Sequence, residues 1–458
     1  MIQSHIDTKK NNTHSNSLTP PSGGGGPFLY TISLVAALGG LLFGFDTAVI
    51  SGVVPFIEKQ FSLSGTEIGW VVSSLILGCI VGVILSGAPT DKYGRKKVLS
   101  TAALLFAISA LGTALANSVL IFVSFRVIGG FAVGIASMVS PMYIAEIAPA
   151  KQRGQLVSLN QLTIVIGIVI AFFSNYLLVN TGENNWRWML CVMALPAFLF
   201  FIALFFVPES PRWLVQNGEI EKAKSTLVKI NGTEVGNKEL EIIQNSLKNK
   251  KDSSFNAVFA KELRLPLMVG IGLAFFQQIT GINTIMYYAP MIFEKSGLSV
   301  DSAIYQTILI GVINLVFSLV AIYFVDRIGR KPLLIIGSSI MAISLLILSM
   351  CFTYGWSGIV TLIAILTFIA AFASTLGPVT WVIIAELFPN NVRGKAMSIS
   401  IVFVWISCFF VSLLFPILLE KIGGANTFIL LAIMCVGSLL FDLKFVKETN
   451  GKELEEIN

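Results

Sequence analysis

The chain has 458 residues, 55% of them apolar and only 12% charged, with a formal net charge of +6. Soluble globular chains carry about 25% charged residues, so this supply cannot coat a water-facing surface, and a soluble enzyme is excluded. The basic excess lies in loops between apolar runs, where membrane topology accounts for it better than nucleic-acid binding does.

Residues 1–27 are polar and close on Pro-Pro-Ser-Gly-Gly-Gly-Gly-Pro, which reads as a disordered cytoplasmic N-terminal tail. The short apolar core and small-residue cleavage site of a secretory signal are absent from it. Both histidines, His5 and His14, fall there, so no histidine is available for an embedded general base, haem or metal site. No metal and no cofactor are expected. Beyond the tail, polar breaks divide the chain into twelve apolar runs, at about 28–57, 67–89, 98–116, 119–147, 154–178, 186–208, 266–294, 302–325, 332–353, 357–388, 394–420 and 424–446. A bilayer-spanning helix needs about 20 residues. The ten-residue alternation of a membrane barrel is missing. The expected fold class is therefore an all-α membrane protein of twelve transmembrane helices. Pro141, Pro290 and Pro378 mark expected kinks. The five cysteines are spread one to a run without a CxxC and read as buried small hydrophobes.

Between the sixth and seventh runs, residues 209–265 mix Lys, Glu and Asn at helical spacing, a cytoplasmic helical linker of short amphipathic pieces. It separates a first six-helix bundle, 28–208, from a second, 266–446; residues 447–458 form a cytoplasmic C-terminal tail. Lysines and arginines gather on one side of the twelve-span arrangement: Lys92, Arg95, Lys96 and Lys97; Lys151 and Arg153; Arg327, Arg330 and Lys331; Arg393 and Lys395. The positive-inside rule makes this basic face cytoplasmic and puts both termini there. The halves also repeat. Residues 91–96 read DKYGRK and 326–331 read DRIGRK, an offset of 235 residues. Residues 144–154 and 384–394 share the pattern IAExxPxxxRG at an offset of 240. Parallel six-span repeats with a site between them at the bilayer midplane are the architecture of rocking transporters.

Asp46 in the first span and Arg126 in the fourth are the formal charges lying well inside spans. The helical rise of 1.5 Å per residue puts both in the outer half, within about two turns of the same depth. A charge in the bilayer costs several kcal/mol unless paired, so the two are expected to pair. Asp46 stays ionised beside Arg126 and takes up a proton when that partner is withdrawn; a static structural pair is the alternative. At the basic face, Glu146 with Arg153, Asp91 with Arg95, and their repeats Glu386 with Arg393 and Asp326 with Arg330 are expected to form gating ion pairs. Topology and solubility alone would also explain them. Uncharged polar groups concentrate at Gln161, Gln277, Gln278, Asn283, Tyr288, Asn314, Trp381 and Trp405. Amides both donate and accept, as the hydroxyls of a neutral polyol do, and indole rings suit the apolar face of a sugar. Helix–helix glue, at about 1 kcal/mol each or less, is the competing explanation.

These residues carry a resemblance. From about residue 30 to 455 the chain is similar to the sugar porters of the major facilitator superfamily, through Gly39–Gly52 (GGLLFGFDTAVISG), Pro208–Leu214 (PESPRWL), Gln277–Asn283 (QQITGIN) and the four repeated loops. The resemblance implies two pseudo-symmetric six-helix bundles working by alternating access. It carries sugar binding onto Gln161, Gln277, Gln278, Asn283, Tyr288, Asn314, Trp381 and Trp405, and adds Glu209 and Arg212 to the cytoplasmic gate. It also implies that Asp46 is the acid of a proton-coupled bacterial member, with Arg126 as its partner. The chain departs from the family at Phe45, at Val404, and in the tail, where Lys447-Glu-Thr-Asn-Gly replaces Pro-Glu-Thr-Lys-Gly.

The expected function is proton-coupled import of a monosaccharide, a hexose or pentose such as glucose or xylose. The protein is read as a multi-pass monomer in a bacterial cytoplasmic membrane. Its partners are the sugar, the proton and membrane lipid, with no nucleic acid and no covalent chemistry. An uncoupled facilitator and a non-transporting sugar sensor are the alternatives.

Overall fold

The computed structural model describes residues 26–149, 152–248, 258–356, 358–388 and 392–448. Residues 1–25 and 449–458 of the two expected tails lie outside the described residues, as do the side chains of Lys248, Asp326 and Arg393.

Twelve helical segments among the described residues are long and apolar enough to cross a membrane. The first five are α1 (Pro27–Phe61), α2 (Gly65–Tyr93), α3 (Arg95–Ala114), α4 (Val119–Ile147) and α5 (Arg153–Leu178). The sixth is made of α6 (Asn185–Cys191) and α7 (Ala194–Phe205). Three short helices follow, α8 (Pro211–Gln216), α9 (Ile220–Asn231) and α10 (Thr233–Lys248). In the second half, α11 (Arg264–Ile279) and α12 (Ile282–Lys295) share the seventh span. Then come α13 (Val300–Ile328), α14 (Arg330–Tyr354), α15 (Gly358–Ser374) with α16 (Leu376–Glu386), α17 (Arg393–Lys421) and α18 (Gly423–Phe445). Each span overlaps one expected run. The widest difference is the start of the seventh, at Lys261 rather than 266, because a polar 3-10 turn, Lys261–Leu263, leads directly into α11.

Local chemistry sets the ends. Pro27 opens α1, and Ser64, Ser118 and Ser299 cap α2, α4 and α13 with their side chains. Gly94 and Gly329 turn α2 into α3 and α13 into α14 at φ of +94° and +98°, a conformation that a side chain disfavours. They are the glycines of the repeated DxxGRK loops.

The helices run unbroken through Pro141 and Pro290. The interruptions fall instead at Thr280–Gly281, where Gly281 adopts φ +96°, and at Thr375, with Pro378 placed in the first turn of α16. Within the first half α1 packs on α5, and α2 and α3 on α4; within the second, α14 packs on α15 and α18, and α11 on α17. The extensive contacts between the two bundles are α2 with α17, α5 with α13, and α1 with α12. They lie toward the face away from the arginine loops. There Gly65 and Gly69 admit Glu420, Pro416 and the Leu413 carbonyl of α17, and the rings of Tyr176 and Tyr305 sit 5.4 Å apart.

Candidate functional site

The charged centre lies inside the first bundle. Arg126 Nη1 meets Asp46 Oδ1 at 2.7 Å and donates to the Asp46 backbone carbonyl at 3.3 Å. The side chains are 1% and 2% exposed, so the pair is withdrawn from solvent as expected. The other carboxylate oxygen, Oδ2, has no hydrogen-bond partner among the described residues, nor has Arg126 Nε. Gly129 on α4 makes the room: a Cβ there would come 2.9 Å from Asp46 Oδ2.

The amides lie in the second bundle, at the break between α11 and α12. Gln277 Nε2 donates to the carbonyls of Leu376 (3.3 Å) and Gly377 (3.1 Å), at the break between α15 and α16. Gln278 Nε2 donates to Gln277 Oε1 at 3.4 Å, and Asn283 Nδ2 to Gln278 Oε1 at 2.6 Å. Asn283 also reaches Cys408 Sγ on α17 at 3.1 Å. Two interrupted helices thus face each other across a chain of three amides, a construction that exposes polar groups only where protein or a cavity receives them. Tyr288 stacks on Phe415 at 5.4 Å and donates its hydroxyl to the Ser412 carbonyl at 2.8 Å, a structural anchor in this state. Half-buried Trp381 packs against the apolar cluster that includes Val404. Trp405, 9% exposed, sits 5.8 Å from the ring of Phe43 on α1.

That ring contact crosses between the bundles. Phe43 is one turn from Asp46, and Trp405 is one turn from Cys408, so it joins the charged centre to the amide chain. Gln161 is exposed on α5 and Asn314 half-buried on α13. No hydrogen bond among the described residues ties either to the amide chain.

At the basic face Arg95 holds Glu146 through two bonds of 2.8 Å, from Nε and Nη2. Asp91 lies 3.5 Å from Arg95 with its side chain 67% exposed. Ser210 Oγ donates to Glu146 at 2.5 Å. Glu209 accepts the backbone N–H groups of Arg95 (3.0 Å), Lys96 (3.2 Å) and Ser210 (2.8 Å). Burial raises the Glu209 carboxyl above the usual glutamate range, while those N–H donors and the Arg95 charge pull the other way. The expected partner of Glu146 is corrected: Arg153 donates instead to the Ala145 carbonyl at 3.0 Å, and its charge is felt by Glu239 of α10. Arg212 is exposed and stands outside the network among the described residues. In the second half Arg330 pairs with Glu386 at 3.3 Å. The expected bonds of Asp326 and Arg393 fall on side chains outside the described residues.

Four contributors escaped sequence reasoning. Glu448 accepts the N–H groups of Arg330 and Lys331, both at 3.0 Å, and is thereby the counterpart of Glu209. Its signal was the altered tail, Lys447-Glu448-Thr449. Glu420 Oε2 accepts the Gly65 N–H at 2.9 Å across the bundle interface. Phe43 and Cys408 looked like ordinary apolar positions.

Comparison with known proteins places this geometry. A family model described as sugar (and other) transporter matches residues 32–458. The chain is 41% identical to the arabinose-proton symporter of Bacillus subtilis over 437 residues, 94% of each chain. It is 41% identical to the D-xylose-proton symporter of Escherichia coli K12, covering 94% of this chain and 95% of that one. Among solved structures, the inward open conformation of the xylose transporter XylE from E. coli superposes with a TM-score of 0.84 at 40% identity, covering 94% and 99% of the two chains. The complex of XylE with 6-bromo-6-deoxy-D-glucose superposes at 0.75, again at 40% identity, covering 94% and 98%.

Proposed function

The chain belongs to the sugar transporter family, and from that membership we propose that it imports a monosaccharide together with a proton by alternating access. It is a multi-pass membrane transporter and not an enzyme. The observation that carries the coupling is the buried Asp46–Arg126 pair, one turn from the ring contact that reaches the amide chain. Protonation of Asp46 releases Arg126, and reformation of the pair releases the proton. One proton moving through 100 mV supplies about 2.3 kcal/mol, which sustains roughly a 50-fold sugar gradient.

The amides of Gln277, Gln278 and Asn283 offer donors and acceptors to a neutral polyol, with Gln161, Asn314, Trp381, Trp405 and Tyr288 completing the site as the bundles close. Pentoses are the first candidates, given the sugars in the relatives' names, and hexoses such as glucose the second. The bundles, 28–208 and 266–446, move as two bodies, with 209–265 as the linker. The basic face is cytoplasmic, with both termini there. On that reading contacts close the outer side and the inner side is open, in keeping with the greater likeness to an inward-open relative. The Arg95–Glu146–Glu209 network and the second-half Arg330–Glu386 pair with Glu448 gate that inner side, and Asp91, Arg153, Arg212, Asp326 and Arg393 belong to the same charged rim. Both halves of the site come from one chain, so a monomer in its lipid suffices.

The test is reconstitution into liposomes with a pH electrode in the medium. Arabinose, xylose or glucose entering with a proton turns the medium alkaline. Sugar counterflow without any pH change would instead make the protein an uncoupled facilitator, and binding without counterflow would make it a sensor.

A further inference from the structure

An apolar groove of about 460 Å³ runs down the membrane-facing side of the second bundle between α11, α17 and α18. On α11 its wall is Arg264, Met268, Ile271 and Phe275, faced by Phe403 of α17 and Phe441 of α18. The α11 residues recur at helical spacing, so they form one stripe. From Arg264 to Phe275 that stripe is about 16 Å long at 1.5 Å per residue, close to one leaflet of a hydrocarbon core about 30 Å thick. Arg264 is exposed at the basic-face end, and its guanidinium has no hydrogen-bond or ion-pair partner among the described residues. Exposed Lys261 lies one turn before it, and exposed Lys444 one turn beyond Phe441 toward the same face. Between Lys261 and Phe275 the one acid is exposed Glu262; on α18 the acid beside Phe441 is Asp442, which is buried and accepts from Ser338 of α14 at 3.4 Å. The groove therefore has a cationic head and an apolar body one leaflet deep.

We infer that this groove binds an anionic phospholipid, its phosphate on Arg264 and one acyl chain along Met268, Ile271 and Phe275. Charge complementarity selects the headgroup, because an attached cation near a membrane surface contributes about 1 kcal/mol per residue toward anionic lipid. A zwitterionic lipid offers the same acyl chain without that gain. α11 ends in Gln277 and Gln278, so a lipid seated along it rests against the half-helix that carries the substrate amides. The site does not depend on what the transporter carries or on whether transport is coupled.

Native mass spectrometry of the purified full chain tests it, with phosphatidylglycerol and phosphatidylcholine of identical acyl chains added in equal amounts. The wild type is expected to retain phosphatidylglycerol preferentially, and Arg264→Gln to lose about fivefold of that preference. Met268→Trp, which fills the groove with Arg264 intact, is expected to lower retention of both lipids. Phe198→Trp, at another exposed apolar position on α7, is expected to leave retention unchanged. Equal melting temperatures in phosphatidylcholine serve as the folding control. Arg264→Gln keeping the full preference, or Met268→Trp retaining as much lipid as Phe198→Trp, would mean ordinary annular lipid only and would overturn the assignment.

Discussion

Glu420 is the carboxylate by which the second bundle holds the first at the face away from the arginines. The N–H it accepts, that of Gly65, belongs to the first turn of α2. That turn already has its own capping box, in which the Ser64 side chain accepts from the Glu67 N–H and the Glu67 carboxylate accepts from the Ser64 N–H. α2 therefore forms without Glu420, and a substitution there acts on bundle closure rather than on helix formation. A hydrogen bond to a charged group contributes about 1.5–3 kcal/mol when buried. Glu420 is exposed, and solvent screening brings the figure to about 1 kcal/mol. That is roughly a fivefold change in the ratio of two states. Glu420→Ala is expected to shift the population by that factor toward the state open on this face. Glu420→Gln, whose amide oxygen still accepts, shifts it less. Pulsed electron paramagnetic resonance between spin labels at two exposed positions, Glu183 beyond the end of α5 and Asp301 in the first turn of α13, reads the separation of the bundles. Coincident distance distributions for wild type and Glu420→Ala would refute the latch.

Asp46→Asn is expected to abolish accumulation of sugar against a gradient, a loss of the roughly 50-fold ratio that 100 mV sustains, while exchange of labelled sugar across liposomes persists; an Asp46→Asn variant that still concentrates sugar removes Asp46 from the coupling step. Gln278→Ala leaves Asn283 without its 2.6 Å acceptor and is expected to weaken sugar binding by about 1–3 kcal/mol, measured by tryptophan-quenching titration. Glu448→Ala and Glu209→Ala each free backbone N–H groups at the start of a helix and are expected to lower stability by similar amounts, about 1–3 kcal/mol. Arg212→Ala should lower it by less than either in the same thermal melts, and a Glu448→Ala protein as stable as wild type would break the proposed symmetry.

The spans were legible because lipid imposes length and apolarity on every one of them, and the boundaries followed polar breaks to within a turn or so. The pairing of Asp46 with Arg126 was legible for the same reason: few charges enter the bilayer, and each requires a partner. At the basic face that economy disappears. Charges are plentiful there, and nearness in sequence misled: Glu146 and Arg153 are seven residues apart, yet exposed Arg153 donates to the Ala145 carbonyl while Arg95 of α3 holds Glu146. Prolines misled in a similar way. Pro141 and Pro290 are carried inside continuous helices, whereas a left-handed glycine at position 281 ends α11. The equivalence of Glu209 and Glu448 was hidden because their flanking residues differ, Pro208-Glu-Ser-Pro against Lys447-Glu-Thr-Asn. What repeats is the contact with the helix start after each DxxGRK loop, and that contact is made by chain remote from the loop.

As the proposed sugar site, the amide chain constrains how a sugar can drive the transporter. Gln277, Gln278 and Asn283 already bond one another and the α15–α16 break, so a sugar hydroxyl that arrives exchanges one set of bonds for another. The gain per contact is then the small difference between two satisfied states, and first binding to the second bundle is weak. A ligand shifts a conformational equilibrium only by its differential affinity for the two states. Gln161 belongs to the first bundle, and no hydrogen bond among the described residues joins it to the amides in this state. A sugar that touches both sets does so only when the bundles close around it, and that extra contact is the differential term. Because the Phe43–Trp405 contact already spans the gap beside Asp46, the motion that brings Gln161 toward the amides also shifts the packing one turn from the acid. On the proposed roles of Asp46, Gln161 and the amides, selectivity among sugars and coupling to the proton therefore reside in the same closing step, and neither is a property of the amide cluster alone.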